Sequence, residues 1–408
     1  MLSSSNPNHN PSIATVANAT PELTVQHLRL LLDSEATTSL RVAQVIGRFD
    51  RGGAQRLACN LGDAIANLGE TSIIIGLAVD TEAAGAAKAG EAPRYVVNAR
   101  GSLLRQISAA RALRRLIREQ DIEMLHVHGV HCLRFVDVAQ RFMRDPPRVV
   151  FTWHDSTSMV LPRSKRSRHR ALRRALRRCD RLFGSSREVA RRLAEATGRH
   201  SEALINGVAV TEPAHRKNRN VSVIVWTGRL VPEKDLPALL EALAQLRNQG
   251  MAFHLKVLGG APMPDSDYEA TLRQRIDQLG LSDAVEMLGW IDDVGSVLRD
   301  ADIAVQTSRS EGLSMALLEQ MMAGLAIVAT DVGDTAVAIK HKTSGILVQP
   351  GDRAALTEAL TQLLINPQVR HRLGDAARRR AEHEFSLEAM GRRAMDAYQQ
   401  VMNGPSSR

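Results

Sequence analysis

The chain has 408 residues, 44% hydrophobic and 24% charged, with a formal net charge of +9. At roughly 100–200 residues per domain, that length predicts two soluble globular domains. No run of about 18 apolar residues occurs, so the sequence predicts no membrane-spanning helix, and the widely spaced Cys59, Cys132 and Cys179 speak against a disulfide framework and for a reducing cytosol.

Residues 1–40 are rich in Ser, Asn, Pro and Thr and lack the basic and apolar blocks of a signal peptide, which predicts a disordered leader. From residue 41 strands and helices alternate. RVAQVIG is a short apolar strand, and RFDRGGAQRLACNLGDAIANLG is a loop running into an amphipathic helix. SIIIGLAV reads as a buried parallel strand. RYVVN, IEMLHVH, RVVFTWH and DRLFGSS read as further strands, and SLLRQISAARALRRLIREQ as a helix. The polar stretch around 205–220 reads as a linker, after which the rhythm restarts with VSVIVWTGRL and continues to a helical end over 352–402. The fold class is therefore α/β, with two Rossmann-like doubly wound parallel sheets and a ligand cleft between them. The expected boundaries are 41–212 and 213–384, with 385–408 a C-terminal helix packing back on the first domain.

Ligands of open α/β sheets sit beyond the carboxyl ends of the strands. In TGRLVPEKD, Arg229 follows a strand and Lys234 opens a helix, so two cations and a helix start offer a seat for a diphosphate. An ordinary solvated loop is the competing reading. In EGLSMALLEQMMAG, Glu311 precedes the helix, Ser314 is placed to cap it, and Glu319 lies a turn and a half inside an apolar helix. A buried carboxylate needs hydrogen-bond donors. Those donors are either ligand hydroxyls or, in the alternative, an arginine or water at an exposed edge. His126 and His128 share one strand face, but no acidic or Cys ligand stands at metal spacing, so no metal is expected. His154 falls just past a strand end, where the cleft is predicted.

The charge has one address. RSKRSRHRALRRALRRCDR, residues 163–181, holds ten Lys/Arg and one Asp, and the rest of the chain is balanced. Leu172, Leu176, Cys179 and Phe183 recur at helical spacing among arginines, which predicts a basic amphipathic helix. With aromatics at 3% and no reading motif, nucleic acid is a poor partner. An anionic membrane surface suits Arg173, Arg174, Arg177 and Arg178 better, with a plain solvated face as the alternative.

Together and in this order, GRFDRGGAQR, IEMLHVHG, VVFTWHD, CDRLFGSS with INGV, TGRLVPEKDLPALLEALAQL and EGLSMALLEQMMAGLAIVATDVG resemble glycosyltransferase family 4, the group 1 glycosyl transferases. The resemblance runs from about residue 41 to the end. It implies the GT-B fold and retaining sugar transfer from a nucleotide diphosphate sugar, with no cofactor and no metal. It implies that Arg229 and Lys234, with the backbone of Gly53, bind the donor diphosphate, which the helix start at Ser314 faces. Glu319 would accept from the ribose hydroxyls, Glu311 would contact the donor sugar, and His154 would assist at the reaction centre. The implied partners are a nucleotide sugar and a lipid-linked or saccharide acceptor, and the implied place is the cytoplasmic membrane face. A nucleotide-sugar epimerase and a non-catalytic nucleotide-sugar or nucleic-acid binder are the alternatives. The chain departs from the family pattern at Gln55, Gln320, Ala326, Asp334 and Val337.

Overall fold

The computed structural model describes residues 39–49, 53–78, 91–154, 167–215, 220–260 and 267–405. Most of the predicted leader lies outside them, as do residues 163–166 of the basic run. In chain order the first half runs β1 (Arg41–Ile46), α1 (Gly53–Asn67), β2 (Thr71–Gly76), β3 (Arg94–Val96), α2 (Leu103–Glu119), β4 (Met124–His128), α3 (Val130–Gln140), β5 (Arg148–Trp153), α4 (Ser167–Arg177), β6 (Arg181–Gly184), α5 (Arg187–Thr197) and β7 (Glu202–Ala203). Its strands form one parallel sheet in the order β3-β2-β1-β4-β5-β6-β7. The second half runs β8 (Ser222–Thr227), α6 (Leu236–Asn248), β9 (Phe253–Leu258), α7 (Asp267–Gln278), β10 (Val285–Gly289), α8 (Val294–Arg299), β11 (Ile303–Gln306), α9 (Met315–Met322), β12 (Ala326–Thr330), α10 (Thr335–Ala338), β13 (Ile346–Val348), α11 (Arg353–Ile365), α12 (Pro367–Glu384) and α13 (Leu387–Asn403). Its sheet, also parallel, has the order β10-β9-β8-β11-β12-β13.

Both orders are doubly wound. Each reverses direction once, between β1 and β4 in the first sheet and between β8 and β11 in the second. Such reversal points open a crevice at the carboxyl edge of the sheet. The strands are apolar because helices cover both faces. Ala43, Val45, Leu125, Val127 and Phe151 pack under α2, α3 and α4, while Val42, Met124 and Val150 pack with Leu61 and Ile65 of α1 and Met390, Ala394 and Tyr398 of α13.

The chain crosses between the sheets twice, side by side. Val208 NH donates to Phe385 O (2.8 Å), and Leu387 NH donates back to Val208 O (3.0 Å). The last helix, α13, thus lies on α1 of the first sheet.

One expectation is corrected. The basic helix does not run on to Cys179 and Phe183. It ends at Arg177, and Phe183 is a buried residue of β6. The Asp180 carboxylate accepts from Val149 NH (2.8 Å) and from Arg148 (3.0 Å), which holds the following residues in the strand. The four-residue apolar spacing continued by coincidence into a strand whose alternate residues are also buried.

Candidate functional site

The crevice of the second sheet is built by the loops after β8 and β11. Gly228 and the exposed Arg229 follow β8, and a 3-10 turn, Pro232–Lys234, precedes α6. Gly259, with φ +117°, lets its chain pass the Gly228 carbonyl, where an added Cβ would sit 1.9 Å from the oxygen. Two bonds tie the 3-10 turn to the loop after β11: Thr307 Oγ1 donates to Lys234 O (3.0 Å) and Arg309 NH donates to Glu233 O (2.8 Å). Those ties bring Lys234 and Glu311 into a direct ion pair, both side chains largely covered. The loop ends at Ser314, the N-cap of α9, whose Oγ accepts from Leu317 NH (3.4 Å). Exposed Arg229, the Lys234–Glu311 pair and the capped start of α9 thus stand on the loops that follow β8 and β11, where a guanidinium and a helix start suit an anion such as a diphosphate.

Gly333 fixes the height of this loop. It has φ +54°, and an added Cβ would lie 1.9 Å from the Glu311 carbonyl oxygen. Asp334 beside it donates its NH to Gly312 O (2.9 Å), and its carboxylate accepts from Arg187 NH of the first half (2.6 Å). Asp334, one of the departures from the family pattern, therefore joins the two sheets. Gln320, another, is fully buried, and its Oε1 accepts from Gln306 Nε2 (3.2 Å).

Glu319 reaches out of α9 toward the first half. Its Oε1 accepts from Arg56 Nη2 of α1 at 2.7 Å. Burial pushes the Glu319 carboxyl up from its ordinary range, and the Arg56 guanidinium pulls it back down. The donor to this carboxylate is thus an arginine, the alternative the sequence left open. Arg56 stands three residues after Gly53, the first residue of α1.

At the crevice of the first sheet, a cavity of about 290 Å³ is lined by Gly47 after β1, Gln55, His128 at the end of β4, and His154 after β5. Behind His154 runs a chain of side chains on the α1–α13 face. His154 Nε2 meets His128 Nδ1 (2.9 Å), and His128 Nε2 meets Gln44 Oε1 (2.9 Å). Gln44 Nε2 donates to Tyr398 OH (3.5 Å). Tyr398 OH contacts His126 Nδ1 (2.5 Å), and His126 Nε2 contacts Thr152 Oγ1 (2.6 Å). Gln44 Oε1 can only accept, so His128 carries its proton on Nε2 and accepts at Nδ1. His154 must then donate through Nε2, which leaves its Nδ1 lone pair as an acceptor. Burial holds His154 down to about 4 and His126 to about 3, and drives His128 well below its ordinary range, so all three are neutral at pH 7. Among the described residues no group of three His, Cys, Asp or Glu could hold a metal ion.

Sequence reasoning did not find Arg56, Gln44 or Tyr398. Gln44 had a signal, a polar residue inside an otherwise apolar strand. Arg56 had none, since its partner lies 263 residues away. The patch arginines Arg173, Arg174, Arg177 and Arg178 are exposed on or just past α4. Arg178 donates to Asp137 of α3 (3.2 Å), which ties it to the protein surface.

The family model for Glycosyltransferase Family 4 matches residues 51–212, and that for Glycosyl transferases group 1 matches residues 210–380. An alpha-D-kanosaminyltransferase of Streptomyces kanamyceticus is 28% identical over 182 residues, 44% of this chain and 46% of that protein. With this and similar curated relatives, the match spans about half of the relative's length. A GDP-mannose-dependent monoacylated alpha-(1-6)-phosphatidylinositol monomannoside mannosyltransferase of Corynebacterium glutamicum is 27% identical over 325 residues, 74% of this chain and 82% of that one. The solved structure of Anabaena Alr3699/HepE in complex with UDP superposes with a TM-score of 0.73 at 18% identity, covering 88% of this chain and 100% of that one. At that identity the likeness establishes the fold, GT-B.

Proposed function

This chain belongs to the group 1, family 4 glycosyl transferases, and on that premise we propose that it moves a sugar from a nucleotide diphosphate sugar to a glycolipid or polysaccharide-precursor acceptor with retained anomeric configuration. The observation that carries the reading is the crevice of the second sheet, where Lys234 and Glu311 pair beside Arg229 and the capped start of α9. The bond from the sugar to the diphosphate breaks with its electron pair on the departing oxygen. Charge on the diphosphate therefore grows toward the transition state, and Arg229, Lys234 and the α9 amides stabilise that state more than the bound donor. Glu311, held by Lys234, is placed to meet the donor sugar, and Glu319 to accept from the ribose hydroxyls once Arg56 yields it. The backbone at Gly53 approaches the diphosphate from the first half. His154, neutral and with Nδ1 as an acceptor, serves the reacting sugar. No metal or cofactor enters this scheme.

The protein acts, in this reading, at the cytoplasmic face of the membrane. Support comes from the exposed arginines of α4. Incubation with UDP- and GDP-sugars tests the chemistry. Lys234→Ala is expected to lower transfer about 100-fold or more, the scale of losing one transition-state donor. Turnover unchanged in Lys234→Ala and Glu311→Ala would remove the site from the reaction.

A further inference from the structure

The described surface carries nine exposed large apolar side chains, and five of them, Leu103, Leu104, Ile107, Val138 and Phe142, lie on α2, α3 and the turn after α3. Isolated apolar residues on a surface need no account, but a cluster of this kind marks a binding site. Here the cluster borders a groove of about 830 Å³ between α2 and α3, within the range of small-molecule sites. Leu103, Ile107, Val138 and Phe142 form its apolar wall. Its charge is one-sided: Arg48, Arg100, Arg114, Arg134 and Arg141 line it against a single acid, Asp137. That acid is already engaged by Arg141 (2.6 Å) and Arg178 (3.2 Å). Arg114 lies over the Phe142 ring, 5.5 Å from its centroid, so cation and apolar wall are interleaved. The groove is also continuous with the crevice of the first sheet. Gly47, Gln55 and His131 line both the groove and the cavity that holds His154.

We propose that this groove seats the acceptor as a single amphiphile, its aliphatic chain along Leu103, Ile107 and Phe142, its phosphate among Arg100, Arg134 and Arg141, and its sugar-accepting end toward His154. The inference rests on the transferase reading and names the acceptor class, an aliphatic phosphate. A flat membrane surface matches a convex basic face, whereas this site is concave. A second copy of the chain would bring a like-charged arginine face against this one.

Titration of the full-length protein with decyl phosphate, decyl maltoside and inorganic phosphate tests it, with UDP binding measured in parallel. Decyl phosphate is expected to bind at least about tenfold more tightly than either single-feature probe. Phe142→Ser with Ile107→Ser is expected to weaken it about tenfold or more, the scale of one lost aromatic or aliphatic burial. Arg100→Gln with Arg134→Gln is expected to abolish the preference for phosphate over maltoside. All variants should bind UDP as the parent does. Equal decyl phosphate binding in parent and variants overturns the groove while leaving the transferase reading intact. Absent UDP binding with the decyl phosphate pattern preserved overturns the transferase reading and leaves the groove. Loss of flotation with anionic vesicles, with decyl phosphate binding unchanged, assigns the face to the bilayer surface and overturns the proposal. A dimer in sedimentation that Phe142→Ser dissolves assigns it to a second copy and also overturns it.

Discussion

Glu311 and Glu319 lie eight residues apart on either side of one helix cap, and their partners already separate their roles. Glu311 is held by Lys234, the cation proposed to meet the diphosphate. Glu319 is held by Arg56 of the other half, and burial raises its carboxyl. An acceptor that must be supplied with donors binds the ground state and the transition state alike. Glu319→Ala is therefore expected to raise the donor Kd with little change in kcat, while Glu311→Ala lowers kcat with little change in Kd. Calorimetry with UDP and steady-state transfer separate the two, and equal effects on both constants would mean the roles are shared. A second residue-scale prediction concerns His154. Its proton position depends on Gln44 through His128. Replacing Gln44 by Leu removes the acceptor that fixes the His128 proton, so His128 is free to turn its N–H toward His154. Transfer is expected to fall about tenfold or more, the lower scale of general acid–base loss, with UDP binding unchanged. Restoration of activity by Gln44→Asn or Gln44→Glu, either of which keeps an acceptor, would distinguish this from a packing defect.

Among the elements, the strand ends were the most legible part of the site. Lys234, Glu311, Ser314 and His154 all stand on the loops or helix starts that follow parallel strands, one to eight residues past the strand ends, and the rule that ligands meet those ends applies before any coordinates. What local pattern could not supply was partnership across the chain. Gln44 and Tyr398 are 354 residues apart, and only the return of α13 onto the first sheet joins them. The basic helix failed differently, since a strand's alternation and a helix's periodicity coincide at a four-residue interval. Arg100, Arg134 and Arg141 fall outside the conspicuous basic run and become one feature only when α2 and α3 are set side by side. The loops carry their own requirement, visible at Gly333. Gly333→Ala meets both a left-handed backbone and the Glu311 carbonyl. It is expected to cost more than about 1 kcal/mol of stability. Because the strain falls on the Glu311 loop, kcat should drop further than thermal stability accounts for.

For the whole molecule, the buried histidine chain sets a pH limit on folding. His126 and His128 lie in β4 of the first sheet and the half-buried His154 just past β5, and burial depresses all three. A base whose folded pKa lies below its unfolded value is neutral in the fold, while the unfolded chain takes up a proton below about 6.5. Stability is therefore full above that pH and is lost as the pH falls toward 4, where His154 itself begins to protonate. Between pH 6.5 and 5, His126 is expected to cost up to about 2 kcal/mol, a sizeable share of the about 5–15 kcal/mol of a typical domain, and His128 and His154 act in the same direction. Burial raises the carboxyls of Asp63, Glu319 and Asp334, which works in the opposite sense, gaining stability as the pH falls. That gain begins at their raised values and is complete near the ordinary value of about 4, so it offsets part of the histidine decline. Urea unfolding at pH 7.5, 6.5, 5.5 and 5.0 should show a steep decline confined to the acid side. His126→Asn keeps a polar side chain but does not titrate, and should flatten the decline. A decline of the same slope in that variant would place the acid sensitivity outside the chain that links His154 to Tyr398.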